Sequence, residues 1–180
     1  MTAPPRTGHD GKQAVLVLAA VAALVGIPTL IASRVPVRES VVPAGTAIEL
    51  ESPGEEPDSV TFAGVDGWIQ RTTGDPATAV LESPNRTVLI VTVVNGVTDF
   101  GEAAEWRLKV LDVQGFTGEF DGGMVANPHG FHGFTCRGAD NPGVCAVVGK
   151  QNLAVTLALA GDRATFAELA PILESLEAEQ

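Results

Sequence analysis

Hydrophobic and polar positions divide the chain into stretches of different period. From Ala14 to Ala32 it reads AVLVLAAVAALVGIPTLIA, apolar throughout and without a charge. At 1.5 Å of rise per residue, about 19 helical residues cross close to 30 Å of hydrocarbon. Lys12 and Arg34 bracket the run, and Gly26 and Pro28, poor in a soluble helix, are tolerated in a membrane span. The pattern predicts a transmembrane helix over residues 13–33, with residues 1–12 as a short cytoplasmic tail. Orientation is weakly set, because Arg6 and Lys12 precede the run while Arg34 and Arg38 follow it. The short tail, and two cysteines downstream that suit an oxidising space, favour export of everything C-terminal. The rival is a cleaved signal peptide, against which stand the length of the run and the mediocre cleavage site at Leu30-Ile31-Ala32.

After the apolar run, Pro36 and Pro43 forbid helix, so residues 34–44 read as an extended stalk. Residues 45–180 then change to short apolar stretches separated by Gly, Pro, Asn and Asp. Strands are expected at Ala47–Glu51, Val60–Ala63, Trp68–Thr72, Ala77–Glu82 and Thr87–Val94, the last two joined by a tight Ser83-Pro84-Asn85-Arg86 connection. Thr87–Val94 is β-branched and apolar on both faces, which places it at the sheet centre. A helix from Phe100 to Leu111 is signalled by Asp99 with Glu102 three residues on, and by the stripe Phe100, Ala104, Leu108, Leu111. A Gly-rich stretch follows, then a second hairpin over Phe131–Arg137 and Val144–Gly149. Asn152–Ala160 alternates large with small side chains, and its small face suits close approach by a helix. A last helix is expected from Asp162 to Leu176, interrupted by Pro171. Residues 45–180 thus read as an α+β domain: an antiparallel sheet with two helices packed on one face.

Charge narrows the function. The chain of 180 residues has a formal charge of −11. Arg6, Lys12, Arg34 and Arg38 against Asp10 and Glu39 make the part before Pro43 +2, which leaves −13 for the remainder. An acidic domain without a basic patch is repelled by phosphate backbones, so nucleic acid is not an expected partner.

The Asp66-Gly67-Trp68 turn, the central apolar hairpin, the middle helix and the closing Phe166…Leu173…Ser175-Leu176 helix together resemble PsbP-like extracytoplasmic domains of actinobacterial membrane-anchored envelope proteins. The similarity runs over roughly residues 45–178 and rests on order and pattern. It implies a non-enzymatic helper in cell-envelope biology and carries over no functional residue. The lipid-modified N-terminal cysteine of the lipoprotein members is absent from this chain.

Candidate chemistry is sparse. Cys136 and Cys145 flank the turn sequence Gly138–Gly143, so two adjacent antiparallel strands would bring them within disulfide reach. The same thiols with His129 and His132 offer a tetrahedral zinc set of unfamiliar spacing, weakened because residues three apart on a strand face opposite ways. The tandem His129-Gly130-Phe131, His132-Gly133-Phe134 admits two readings. Its phenylalanines either belong to the core or line an apolar mouth with Trp68 or Trp106. No nucleophile elbow, phosphate-binding glycine loop or dinucleotide fingerprint is present, so neither an enzyme nor a cofactor is expected. The expectation is a single-pass protein whose extracytoplasmic domain binds a partner protein or an apolar or lipid ligand in envelope assembly or transport. The alternatives are a structural or sensory ectodomain without a ligand and a metal protein using His129 and His132.

Overall fold

The computed structural model describes residues 10–32, 39–55 and 57–179, with side chains of the first helix described at 14–24 and 26. The chain divides into two units, Met1–Val37 and Arg38–Gln180. The first contains helix α1 (Asp10–Ala32). Among the described residues no helix is long and apolar enough to cross a membrane. The expected transmembrane helix is corrected accordingly: α1 is a helix, and a membrane crossing is not supported.

The second unit is mostly β-sheet. Its strands are β1 (Glu39–Val41), β2 (Ile48–Glu51), β3 (Ser59–Phe62), β4 (Ile69–Arg71), β5 (Thr78–Glu82), β6 (Val88–Val94), β7 (Gly118–Ala126), β8 (His132–Gly138), β9 (Gly143–Lys150), β10 (Leu153–Ala160) and β11 (Glu177–Glu179). Helix α2 (Phe100–Val113) lies between β6 and β7, and α3 (Phe166–Glu174) between β10 and β11. Eight strands form one antiparallel sheet in the order β1-β4-β5-β6-β10-β9-β8-β7, and β11-β3-β2 form a second. Part of the expected stalk is strand. Glu39–Val41 pairs with Arg71–Ile69, and Val42 is buried with its amide donating to the Trp68 carbonyl at 2.8 Å. Residues 33–38 of that stalk lie outside the described residues.

The centre follows from side-chain size. β6 and β10 pair over seven registers, from Val94↔Ala154 to Val88↔Ala160. On β10, Leu153, Val155, Leu157 and Leu159 join Leu89, Val91 and Val93 of β6 in the main core. Val60 and Phe62 of the smaller sheet and Leu169, Ile172 and Leu173 of α3 close that core from above. The opposite face of β10 presents Ala154, Thr156 and Ala158, all buried. Helix α2 lies there, with Leu111 packed on Ala158, Phe116 and the cysteines. The two helices therefore lie on opposite faces of the large sheet, which corrects the expected one-face arrangement. The physical reason is volume: the Leu/Val face needs a thick layer, while the Ala/Thr face admits a helix at short range.

Local signals set the helix ends. Asp99 caps α2, its carboxylate accepting from the Glu102 amide at 3.1 Å. Helix α3 starts later than expected, with Thr165 as cap and Pro171 inside it. Its C-terminus is held by Asn127 in the β7–β8 turn. The Asn127 amide donates to the carbonyls of Leu173 (3.0 Å) and Leu176 (2.7 Å), and its oxygen accepts from the amides of His129 and Phe131.

Candidate functional site

The cysteines stand directly opposite one another in the β8–β9 register and are joined, with Cα atoms 4.7 Å apart. Both are buried beneath Phe116 and Leu111. A hairpin turn at residues 138–143 is what places them there, as the spacing indicated. With the thiols bonded to each other, the histidines have no thiolate to share a metal with. Among the described residues no group of His, Cys, Asp and Glu is arranged to hold a metal ion.

The His-Gly-Phe repeat does not converge. Phe131 is fully buried in the main core, the same cluster that contains Trp68. Phe134 lies on the α2 side, because its register partners Val147 and Met124 belong to the face that carries Cys136 and Cys145. There it stacks on Phe100 at 5.7 Å and meets the edge of Phe120 at 5.4 Å. His132 is 6.3 Å from the Phe100 ring. His129 instead approaches Glu177 of β11 at 3.8 Å. The sheet itself separates Phe131 from Phe134, so no single mouth contains both. Trp106 points away from the sheet on α2, 59% exposed, with the Lys109 ammonium 5.2 Å from its ring centroid.

Several apolar side chains are exposed on the α2 side of the large sheet. Trp106 and Val113 are seven residues apart and share one side of α2; Val113 is 89% exposed. Beside α2, register places Phe120 opposite Cys136 and Met124 opposite Phe134. That fixes both on the α2 side, and Met124 is 77% exposed. Exposed acids on α2 neighbour Trp106 and Val113: Glu102, Glu105 and Asp112. The strand is shaped for this by a bulge between Phe120 and Met124. Gly122 has φ +80 there, and a Cβ on Gly123 would sit 2.1 Å from Thr135 Oγ1. Asp121 locks the bulge. The Thr135 hydroxyl donates to it at 2.5 Å and the Gly123 amide at 2.9 Å, and these bonds hold its carboxyl below the usual carboxylate range.

A cation that the sequence reading missed lies beneath this helix. Arg107 reaches between α2 and the sheet, its Nε donating to Thr156 Oγ1 at 3.0 Å and a terminal nitrogen to Thr92 Oγ1. Burial pulls its pKa down from the ordinary value. Thr92 and Thr156, lone hydroxyls in otherwise apolar strands, were the available signal. Open grooves lie elsewhere, one of about 390 Å³ beside Gln70, Arg71, Thr73 and Asp75.

The second unit is thus a disulfide-linked, two-sheet domain with exposed apolar side chains on its α2 side. No protein-family model, curated protein or solved structure matches the chain.

Proposed function

We propose that residues 38–180 form an extracytoplasmic accessory domain that docks a partner protein of the cell envelope through the face made by α2 and β7. The observation that carries this reading is that Trp106, Val113, Phe120 and Met124 are all exposed on the α2 side of the large sheet. Single exposed hydrophobics are ordinary, but an aromatic and methionine group rimmed by charge is the usual composition of a docking surface. The acids Glu102, Glu105 and Asp112 on α2 favour a partner with basic residues at the rim. The Cys136–Cys145 bond supports an oxidising compartment, since cytosolic thiols are kept reduced. The pattern-level resemblance to PsbP-like extracytoplasmic domains supports the same placement. An apolar or lipid ligand between Phe131 and Phe134 is disfavoured because these rings lie on opposite faces.

A photo-crosslinking residue placed at Trp106 or Met124, with Glu51 of β2 as control, tests the reading in intact cells. The expected result is one discrete adduct from the two α2-side positions and none from Glu51. Absence of adducts at both positions, or equal adducts from all three, overturns it.

A further inference from the structure

We propose that Arg86 and Arg163 form a binding site for a phosphate group, in a groove of about 400 Å³ lined by Pro84, Asn85, Arg86, Thr87, Asp162 and Arg163. The site shares no residue with the docking face. Most cations of this acidic domain are already engaged. Arg71 pairs with Glu82, Lys109 and Lys150 lie over the rings of Trp106 and Phe131, Arg107 is held by threonine hydroxyls, and Arg137 sits in the field of Asp121. Among the described residues, Arg86 and Arg163 have no carboxylate within ion-pair distance, and both line one groove. With Asp162 in the same groove and the Glu168 carboxylate 3.2 Å from the Thr87 hydroxyl, the two guanidinium charges are balanced locally, within a domain of −13. A small anion is repelled less there than over the rest of this acidic surface.

Backbone strain points to the same residue. Arg86 closes the β5–β6 hairpin with φ +65, its amide donating to the Ser83 carbonyl at 2.9 Å. This is the left-handed position that glycine fills without steric cost and a bulky residue fills with strain. A long cation retained there at an energetic cost needs a compensating role, and an exposed guanidinium makes no packing contribution. Helix α3 borders the groove. The Thr87 hydroxyl donates to Glu168 at 3.2 Å, which places the first turn of α3 beside the groove, and the cap residue Thr165 makes no side-chain hydrogen bond to that turn. Two guanidinium groups lining one groove offer forked donors to the three acceptor oxygens of a phosphate, which favours phosphate over a halide or a neutral ligand.

The test follows the Arg Nε–Hε signals of the domain by NMR while inorganic phosphate replaces chloride at constant ionic strength. Saturable movement of Arg86 and Arg163 together is expected. R86G should weaken the response of Arg163 by about tenfold or more, as should R163Q that of Arg86, since each removes a charge-assisted fork. R86G should do so without lowering the urea midpoint, because glycine relieves the left-handed backbone; R163Q, at an exposed position, keeps the test independent of the turn. A second arm uses vesicles containing phosphatidylglycerol. Movement with vesicles alone assigns the phosphate to a lipid headgroup. Silence in both arms, or responses unchanged in R86G and R163Q, overturns the site.

Discussion

Asn127 shows how much one polar side chain can fix. It satisfies two carbonyls at the end of α3 and two amides in its own turn, so it couples the β7–β8 connection to the closing helix. Asn127→Ala strands those carbonyls in a half-buried site, and the expected loss is about 1–3 kcal/mol by urea denaturation. Asp121 offers a finer test. Its carboxyl is held low first by the Thr135 hydroxyl, so Thr135→Val should raise its midpoint toward the ordinary carboxylate value, read by carboxyl-carbon NMR titration. Because the folded pKa is depressed, the contribution to stability is present above the unfolded value. It is lost as pH falls through the folded one, loosening the bulge in acid. Neither residue announced itself. Asn127 stands in an Asn-Pro turn like many others, and its carbonyl partners come from 46 and 49 residues away. Arg107 gave no local sign of its burial, because its partners Thr92 and Thr156 come from strands 15 and 49 residues away. The cysteine pairing was legible because a short turn sequence and strand alternation decide it locally.

At the scale of elements, period and caps were readable wherever the signal was local. The β5–β6 and β8–β9 hairpins and the start of α2 at Asp99 follow from turn residues, alternation and a capping pattern. β7 was hidden because five of its nine residues, Gly118, Glu119, Asp121, Gly122 and Gly123, have poor strand propensity. Its glycines are required by a bulge that only the partner strand explains. β11 was hidden too, since a three-residue strand carries no period, while β2 and β3 were expected as strands but not as a separate sheet. The small face of β9 and β10 predicts a steric limit. A Cβ at Gly149 would lie 2.5 Å from the Phe100 ring. Gly149→Ala should therefore displace the start of α2 and cost about 1–3 kcal/mol, measured by thermal or urea unfolding. On the other face, Leu157 is fully buried in the main core, and Leu157→Ala should cost about 2–5 kcal/mol.

For residues 38–180 as a whole, the thickness of each layer follows from the side chains of the central strands, and the proposed docking surface lies on the α2 side. Which face each helix takes was not legible from either helix alone, since both are amphipathic. It is decided by the alternation of leucine and alanine on β10, read together with its neighbours. The Cys136–Cys145 bond closes a loop of about ten residues, and its reduction should lower stability by somewhat under 3 kcal/mol on chain-entropy grounds. The bond also bears on where the domain works, and one measurement addresses that most directly. Cells are quenched in acid, denatured, and treated with a maleimide mass tag before or after reduction. The account predicts no tag on Cys136 and Cys145 without reductant and two tags with it. Two tags without reductant would place the domain in a reducing compartment and contradict the account.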